Sequence, residues 1–92
     1  MNLDKIKNGM IEKIELPRDL VKGFPRIEIL GDEEITVENH QGIKSFDKNK
    51  IEINSSIGKI TLVGEGLEIL FMGGETITIG GKFKSIAYRE DV

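Results

Sequence analysis

The chain has no cysteine, no tryptophan, only two prolines and one histidine. Without cysteine it can form no disulfide, carries no thiolate nucleophile and lacks the thiol ligands of structural zinc sites. That fits a reducing compartment. Aromatic residues make up only 5% of the sequence. The longest apolar stretch, Leu67 to Met72, is interrupted by Glu68, and nothing approaches the roughly 20 residues that cross a bilayer as a helix. The N-terminus also lacks the hydrophobic region of a secretory signal. These absences together lead to the expectation of a soluble intracellular protein.

What is present is consistent with one small domain. A chain of 92 residues buries roughly two thirds of the surface exposed on unfolding, so one modest core is all it can build. The net charge of −3 is unevenly spread. Residues 1 to 26 hold six basic and four acidic side chains, a balance of +2 that leaves −5 for the remainder. An acidic body with a mildly basic leader argues against nucleic acid as a partner, because phosphate binding needs a concentrated positive field.

The leader, residues 1–24, places Leu3, Ile6, Met10, Ile11 and Ile14 at helical spacing, which predicts a short amphipathic helix. Gly9 within it costs about 1 kcal/mol relative to alanine, so this helix needs something to pack on. Leu16-Pro17-Arg18-Asp19-Leu20-Val21-Lys22-Gly23 then reads as a further turn or two, with proline at the start and glycine at the stop.

From Pro25 the period changes to two. Ile27–Ile29, Ile35–Glu38, Ile51–Asn54, Ile60–Leu62, Leu67–Ile69 and Ile77–Ile79 alternate apolar with polar residues, as half-buried strands do. Their isoleucines and threonines favour a pleated surface. Between them lie Gly31-Asp32, His40-Gln41-Gly42, Asp47-Lys48-Asn49, Gly64-Glu65-Gly66, Gly73-Gly74 and Gly80-Gly81, all turn chemistry. Ile27, Ile35, Ile43, Ile51, Ile60, Ile69, Ile77 and Ile86 recur about every eight or nine residues, the rhythm of short strands and tight turns. The expected fold is all-β: a small antiparallel sandwich or roll of about seven short strands over residues 25–89, after the leader helix and before a short polar tail, 90–92. A β-solenoid would need a repeat of about 20 residues or more, and no self-similarity at that length is present.

No pattern announces chemistry. Gly64-Glu65-Gly66 begins a dinucleotide fingerprint, but Ile69 stands where the third glycine belongs and a strand follows where a helix is needed; a plain hairpin turn is the simpler reading. Gly80-Gly81-Lys82 lacks the Ser or Thr of a phosphate loop, Phe83 standing in its place, so a bulge or sharp bend is expected. His40 has no second imidazole to complete a metal site and no placed nucleophile to serve. The paired carboxylates Glu33-Glu34 and Glu90-Asp91 read as solvated surface. Accordingly no catalytic residue, cofactor or metal ligand is assigned. The informative irregularity is apolar: alternation from Leu67 puts Leu67, Ile69 and Phe71 on one face and Leu70 and Met72 on the other, with Val63 opposite Leu62. Either the strand is central and covered on both faces, or it exposes a patch used for association.

With these elements laid out, the chain resembles the YabP/YqfC family of sporulation proteins, and YqfC-type members most of all. The likeness covers about Glu15 to Tyr88. It rests on Leu16-Pro17-Arg18-Asp19, Pro25-Arg26-Ile27 leading to Gly31, Glu38-Asn39-His40-Gln41-Gly42-Ile43, the strand ending at Gly64, and Gly81-Lys82-Phe83 through Tyr88. Phe83 departs from the aliphatic residue usual there. The resemblance implies a protein of the mother-cell cytoplasm, at the outer membrane of the developing spore, and YqfC-type proteins look like companions of a membrane-anchored sporulation protein, YqfD. It carries over no catalytic residues.

The functional expectation is therefore a non-enzymatic binding module that docks on such a partner through Leu3, Ile6, Met10 and Ile14 of the leader and through Val63, Leu70 and Met72. A self-assembling component of the spore coat or cortex machinery, hence a homo-oligomer, is the second reading. Peripheral contact of the leader with anionic lipid is a third.

Overall fold

The structure, a computed structural model, describes residues 23–89. The expected leader helix with Leu3, Ile6, Met10 and Ile14, the Pro17–Asp19 turn and the tail 90–92 lie outside the described residues.

The described chain is all-β and antiparallel. Six strands, β1 (Arg26–Leu30), β2 (Glu34–Glu38), β3 (Ile43–Asp47), β4 (Lys50–Ile53), β5 (Ile60–Gly73) and β6 (Thr76–Tyr88), form one sheet in the order β1-β2-β6-β5-β4-β3. Every neighbouring pair is antiparallel. The count is six where the spacing suggested about seven, because β5 and β6 run 14 and 13 residues. Each joins two of the alternating segments that turn chemistry at Gly64-Glu65-Gly66 and Gly80-Gly81 had seemed to separate. The first of these glycine clusters is not a hairpin turn. Both are irregularities inside continuous strands, with register shifts between Val63 and Gly64 and between Glu65 and Glu68.

Connectivity requires this sheet to curl. Strands β2 and β3 are consecutive in sequence but four places apart in the sheet, which in a flat sheet is roughly 19 Å. The five residue steps from Glu38 to Ile43 span at most roughly 17 Å when fully extended. Asn39 is not extended at all, since its φ is 65°. Only a sheet rolled on itself brings the far edge within reach.

The roll turns on the long hairpin. Its upper half, Glu68–Gly73 against Thr76–Gly80, carries β2 and β1; its lower half, Ile60–Glu65 against Lys82–Tyr88, carries β4 and β3. Where the halves meet, Gly64 lies so close to the Lys82 carbonyl oxygen that a Cβ would overlap it. Gly81, at φ 141°, has the Gly66 carbonyl oxygen and Leu67 Cδ2 both 2.9 Å from where its Cβ would be. Two turns clamp the bend through backbone bonds: Gly81 N–H and Phe83 N–H donate to the carbonyls of Glu33 and Asp32, and Gly64 N–H and Leu67 N–H to those of Asn49 and Lys48.

All eight recurring isoleucines face the inside of this roll. Residues directly opposite in a ladder share a face, and the register links Ile27 to Val37, Val37 to Ile77, Ile35 to Ile79 and Ile79 to Ile69. In the other half Ile43 opposes Ile53, Ile53 opposes Ile60, and Leu62 opposes both Ile51 and Ile86. Ile35, Val37, Ile51, Ile53, Ile60, Leu62, Leu67, Ile77 and Ile79 form one buried cluster, with Ile27, Ile43, Phe83 and Ile86 packed against it. Each fully buried isoleucine contributes about 1.5–3 kcal/mol. Phe83 is thus accommodated at the core margin.

Polar pairs line part of the outer surface. Thr36 and Thr78 share a hydroxyl hydrogen bond of 2.9 Å. On the lower half Glu52 accepts from Lys59 Nζ at 3.0 Å and Ser45 Oγ at 3.0 Å. The hydrogen bond from Lys59, then that from Ser45, holds the Glu52 carboxyl below the ordinary carboxylate range. A depressed folded-state pKa stabilises the fold above the unfolded-state value and ceases to do so as pH falls through the folded one. Glu52→Gln is accordingly expected to flatten the loss of stability below about pH 4.5, a check made by urea midpoints across an acid pH series.

Candidate partner-binding edge

Beyond the bend, β5 has only one partner among the described strands. Lys50–Ile53 of β4 pair with Ile60–Val63 alone, so over Glu68–Gly73 β5 is hydrogen-bonded to β6 on one side and to no described strand on the other. Along that edge Ile69, Leu70, Phe71 and Met72 are 39%, 50%, 54% and 52% exposed. The strand expected to be either central or patch-forming is an edge carrying the patch.

A bulge rearranges which side chains share a face. The ladder is regular to Ile69 opposite Ile79, then shifts so that Phe71 opposes Thr78 and Met72 opposes Ile77. One extra residue reverses the alternation beyond it. Ile69 and Met72 therefore lie on the inner face, continuing the core to its margin. Leu70 and Phe71 lie on the outer face, Leu70 flat over Gly80, where a Cβ would come within 2.7 Å of Leu70 Cδ1. The expected grouping of Leu67, Ile69 and Phe71 against Leu70 and Met72 is corrected accordingly. Val63 is not part of this strip: it opposes Lys50 and Ser85 on the outer face of the lower half. Of the sequence candidates, Leu70 and Met72 belong to the edge, on opposite faces, and Val63 lies across the bend. Ile69 and Phe71 belong to the strip and were missed; the signal for them was the apolar run itself, which satisfies neither face of a regular strand.

Each of the remaining edges carries charge. Strand β1 presents the Arg26–Glu28 pair at 3.3 Å, β3 carries Lys44 and Asp47, and the outer part of β6 carries Lys82 and Lys84. Lys82 reaches Asp32 and Glu33 at 3.5 and 3.3 Å, and Lys84 reaches Glu65 at 3.2 Å. Such exposed pairs add little stability, but charged side chains on an edge discourage pairing with another chain. From Ile69 to Gly74 the β5 edge has none.

The Glu38-Asn39-His40-Gln41-Gly42 segment is the crossover that closes the roll. Asn39 adopts the left-handed conformation, and its Nδ2 donates to the Phe24 carbonyl at 3.0 Å, while Ser56 Oγ donates to the Gly23 carbonyl at 3.0 Å. These two bonds fasten the chain where it enters β1. His40 is 8% exposed. Its Nδ1 accepts from Gly42 N–H at 2.9 Å, its backbone N–H donates to the Glu75 carbonyl beside the β5–β6 turn, and its Nε2 is buried with no acceptor among the described residues. The histidine is a closure element, set in the backbone it braces. Asn39→Ala is expected to cost about 1–2 kcal/mol, through the left-handed backbone and the lost tether, and Asn39→Gly, which keeps the backbone freedom, less; thermal denaturation of the pair separates the two contributions.

The other motif residues also have structural places. Pro25 precedes an edge strand, where no ladder donor is needed; Arg26 opens β1 opposite Glu38; Gly31 turns β1 into β2 with φ 57°; Gly64 and Gly81 make the bend; Tyr88 ends β6 opposite Ile60. Among the described residues no three His, Cys, Asp or Glu side chains gather closely enough to hold a metal ion.

The described residues thus form a curled antiparallel sheet closed by an Asn-His crossover, with an uncharged apolar stretch along one edge. The chain belongs to the YabP family, whose model matches residues 23–92, the span in which the crossover and the bend lie. It is also 26% identical over 87 residues to the Bacillus subtilis (strain 168) protein named Uncharacterized protein YqfC, an alignment covering 95% of this chain and 94% of that one.

Proposed function

We propose that this chain is a non-enzymatic assembly module of endospore formation, working on the mother-cell side of the developing spore envelope by docking another protein along the β5 edge. The observation that carries the proposal is the edge itself: four consecutive apolar residues, Ile69 to Met72, all exposed on a strand with one side unpaired among the described residues. An edge of this kind binds by strand addition, in which main-chain hydrogen bonds give affinity and alternate side chains give specificity. Membership of the YabP family and similarity to YqfC support the setting, and the resemblance of the motifs points to a membrane-anchored partner at the outer forespore membrane.

The test is capture of partners by a tagged chain from sporulating cells, with Leu70→Asp and Phe71→Asp as variants. Both residues are half exposed, so circular dichroism should remain native. Recovery of the partner is expected to fall about tenfold or more, the equivalent of about 1.4 kcal/mol. Undiminished recovery by well-folded variants removes this edge from consideration.

A further inference from the structure

We propose that the strand received by the β5 edge is the β5 edge of a second copy of this chain, paired antiparallel about a two-fold axis between Leu70 and Phe71. This rests on the reading of β5 as an assembly edge and names what holds that edge in the purified chain, where a second copy takes the place that the docking partner would take.

The inference follows from the bulge. In an antiparallel pair, residues directly opposite project from the same face. About the proposed axis Ile69 meets the partner's Met72, Leu70 meets the partner's Phe71, and Glu68 meets the partner's Gly73. Each of these pairs shares a face in the structure: Ile69 and Met72 lie opposite the inward Ile79 and Ile77, Leu70 and Phe71 point outward, and Glu68 and Gly73 lie opposite Gly80 and Thr76. In a strand of unbroken alternation residues 69 and 72 would lie on opposite faces, and this axis could not exist. A regular strand laid along the same edge would match one side of the bulge and mismatch the other. A second copy carries the same irregularity, and the dyad sets the two bulges against each other.

Charge agrees with this arrangement. The six residues Ile69 to Gly74 are uncharged, and the axis sets Glu68 against a glycine, so no like charges meet across the pairing. The other edges place Arg26 and Glu28, Lys44 and Asp47, or Lys82 and Lys84 where a second strand would lie. Two-fold, isologous pairing is also the commonest way that identical chains associate.

Sedimentation of the purified full chain should show a monomer–dimer equilibrium in the range of tens of micromolar, as expected for a small interface, roughly. Leu70→Lys and Phe71→Lys should each shift it to monomer with unchanged circular dichroism. The register is read by cross-linking, for which the absence of native cysteine is convenient. A mixture of Leu70→Cys and Phe71→Cys proteins, treated with a short thiol-to-thiol reagent, should yield covalent dimer several-fold more efficiently than either protein alone. A chain that stays monomeric up to roughly 500 µM, a dimer that survives both lysine variants, or cross-linking as efficient in a single variant as in the mixture overturns the inference. A strictly monomeric chain that still captures a partner from sporulating cells in a Leu70-dependent manner overturns the dimer and leaves the assembly edge standing.

Discussion

One added methyl group, in Gly64→Ala, is expected to destabilise this domain by about 3 kcal/mol, among the larger costs for a single substitution. The reason is local and severe. Gly64 is buried in the middle of the longest strand, and its Cβ would occupy the space of the Lys82 carbonyl oxygen. The neighbour is backbone, so no rotamer change relieves the overlap. Moving the Lys82 carbonyl aside would also pull on the adjoining hydrogen bonds that hold the bend, Gly81 N–H to Glu33 and Phe83 N–H to Asp32. A domain of this size has a total stability of only about 5–10 kcal/mol, so the variant should lose about a third to about three-fifths of it. Urea denaturation measures it. Gly66→Ala, two residues away, is the comparison: it sits at φ 61° with nothing within 4 Å of its Cβ, so it should cost only the backbone strain, about 1 kcal/mol.

The second large effect lies in the core. Ile77 is fully buried and opposes Val37 on one side and Met72 on the other. Ile77→Ala should cost about 3–4 kcal/mol, the transfer energy of the lost atoms together with the cavity they leave. With a urea slope of about 1 kcal/mol/M, the midpoint should fall by about 3 M. Met72→Ala removes the neighbouring side chain from the same ladder position. Because Met72 is half exposed, its loss should cost less than about 1 kcal/mol. A core that ended at Ile77 would give this contrast; a core extending over the β5 edge would make the two costs similar.

These residues also show how far the fold could be read in advance. The period of two over Ile35–Val37, Ile51–Ile53 and Ile77–Ile79 identifies strands because one face of each is fully inside, and the eight spaced isoleucines all prove to be inward-facing. Sequence alone does not distinguish a glycine that turns a chain back from a glycine that lets two strands bend together. Gly73-Gly74 makes a hairpin and Gly64 a kink, and the difference is the close approach of Lys82, a residue 18 positions away. For the same reason the described residues hold six strands where about seven were expected.

The candidate site was legible in location and not in geometry. An apolar run that breaks alternation at Leu70 and Met72 marks β5, but the faces depend on a bulge whose extra residue is defined only against β6. The bulge exchanged Phe71 and Met72 between faces, the open edge left Ile69 exposed beside them, and the separate register shift at Gly64 put Val63 across the bend. His40 is another instance. A lone histidine in a turn reads as a solvated or backbone-bonded group; it is backbone-bonded and buried because the crossover it occupies closes the roll.

Amide hydrogen exchange across β5, compared between the isolated chain and the chain bound to its partner or associated with itself, tests the central claim most directly. The claim predicts that amides of residues 68–73 directed away from β6 exchange rapidly in the isolated chain and become protected on association, while those of β1 and β3 do not change. Association that leaves residues 68–73 exchanging as before, or that protects β1 or β3 in their place, would contradict it.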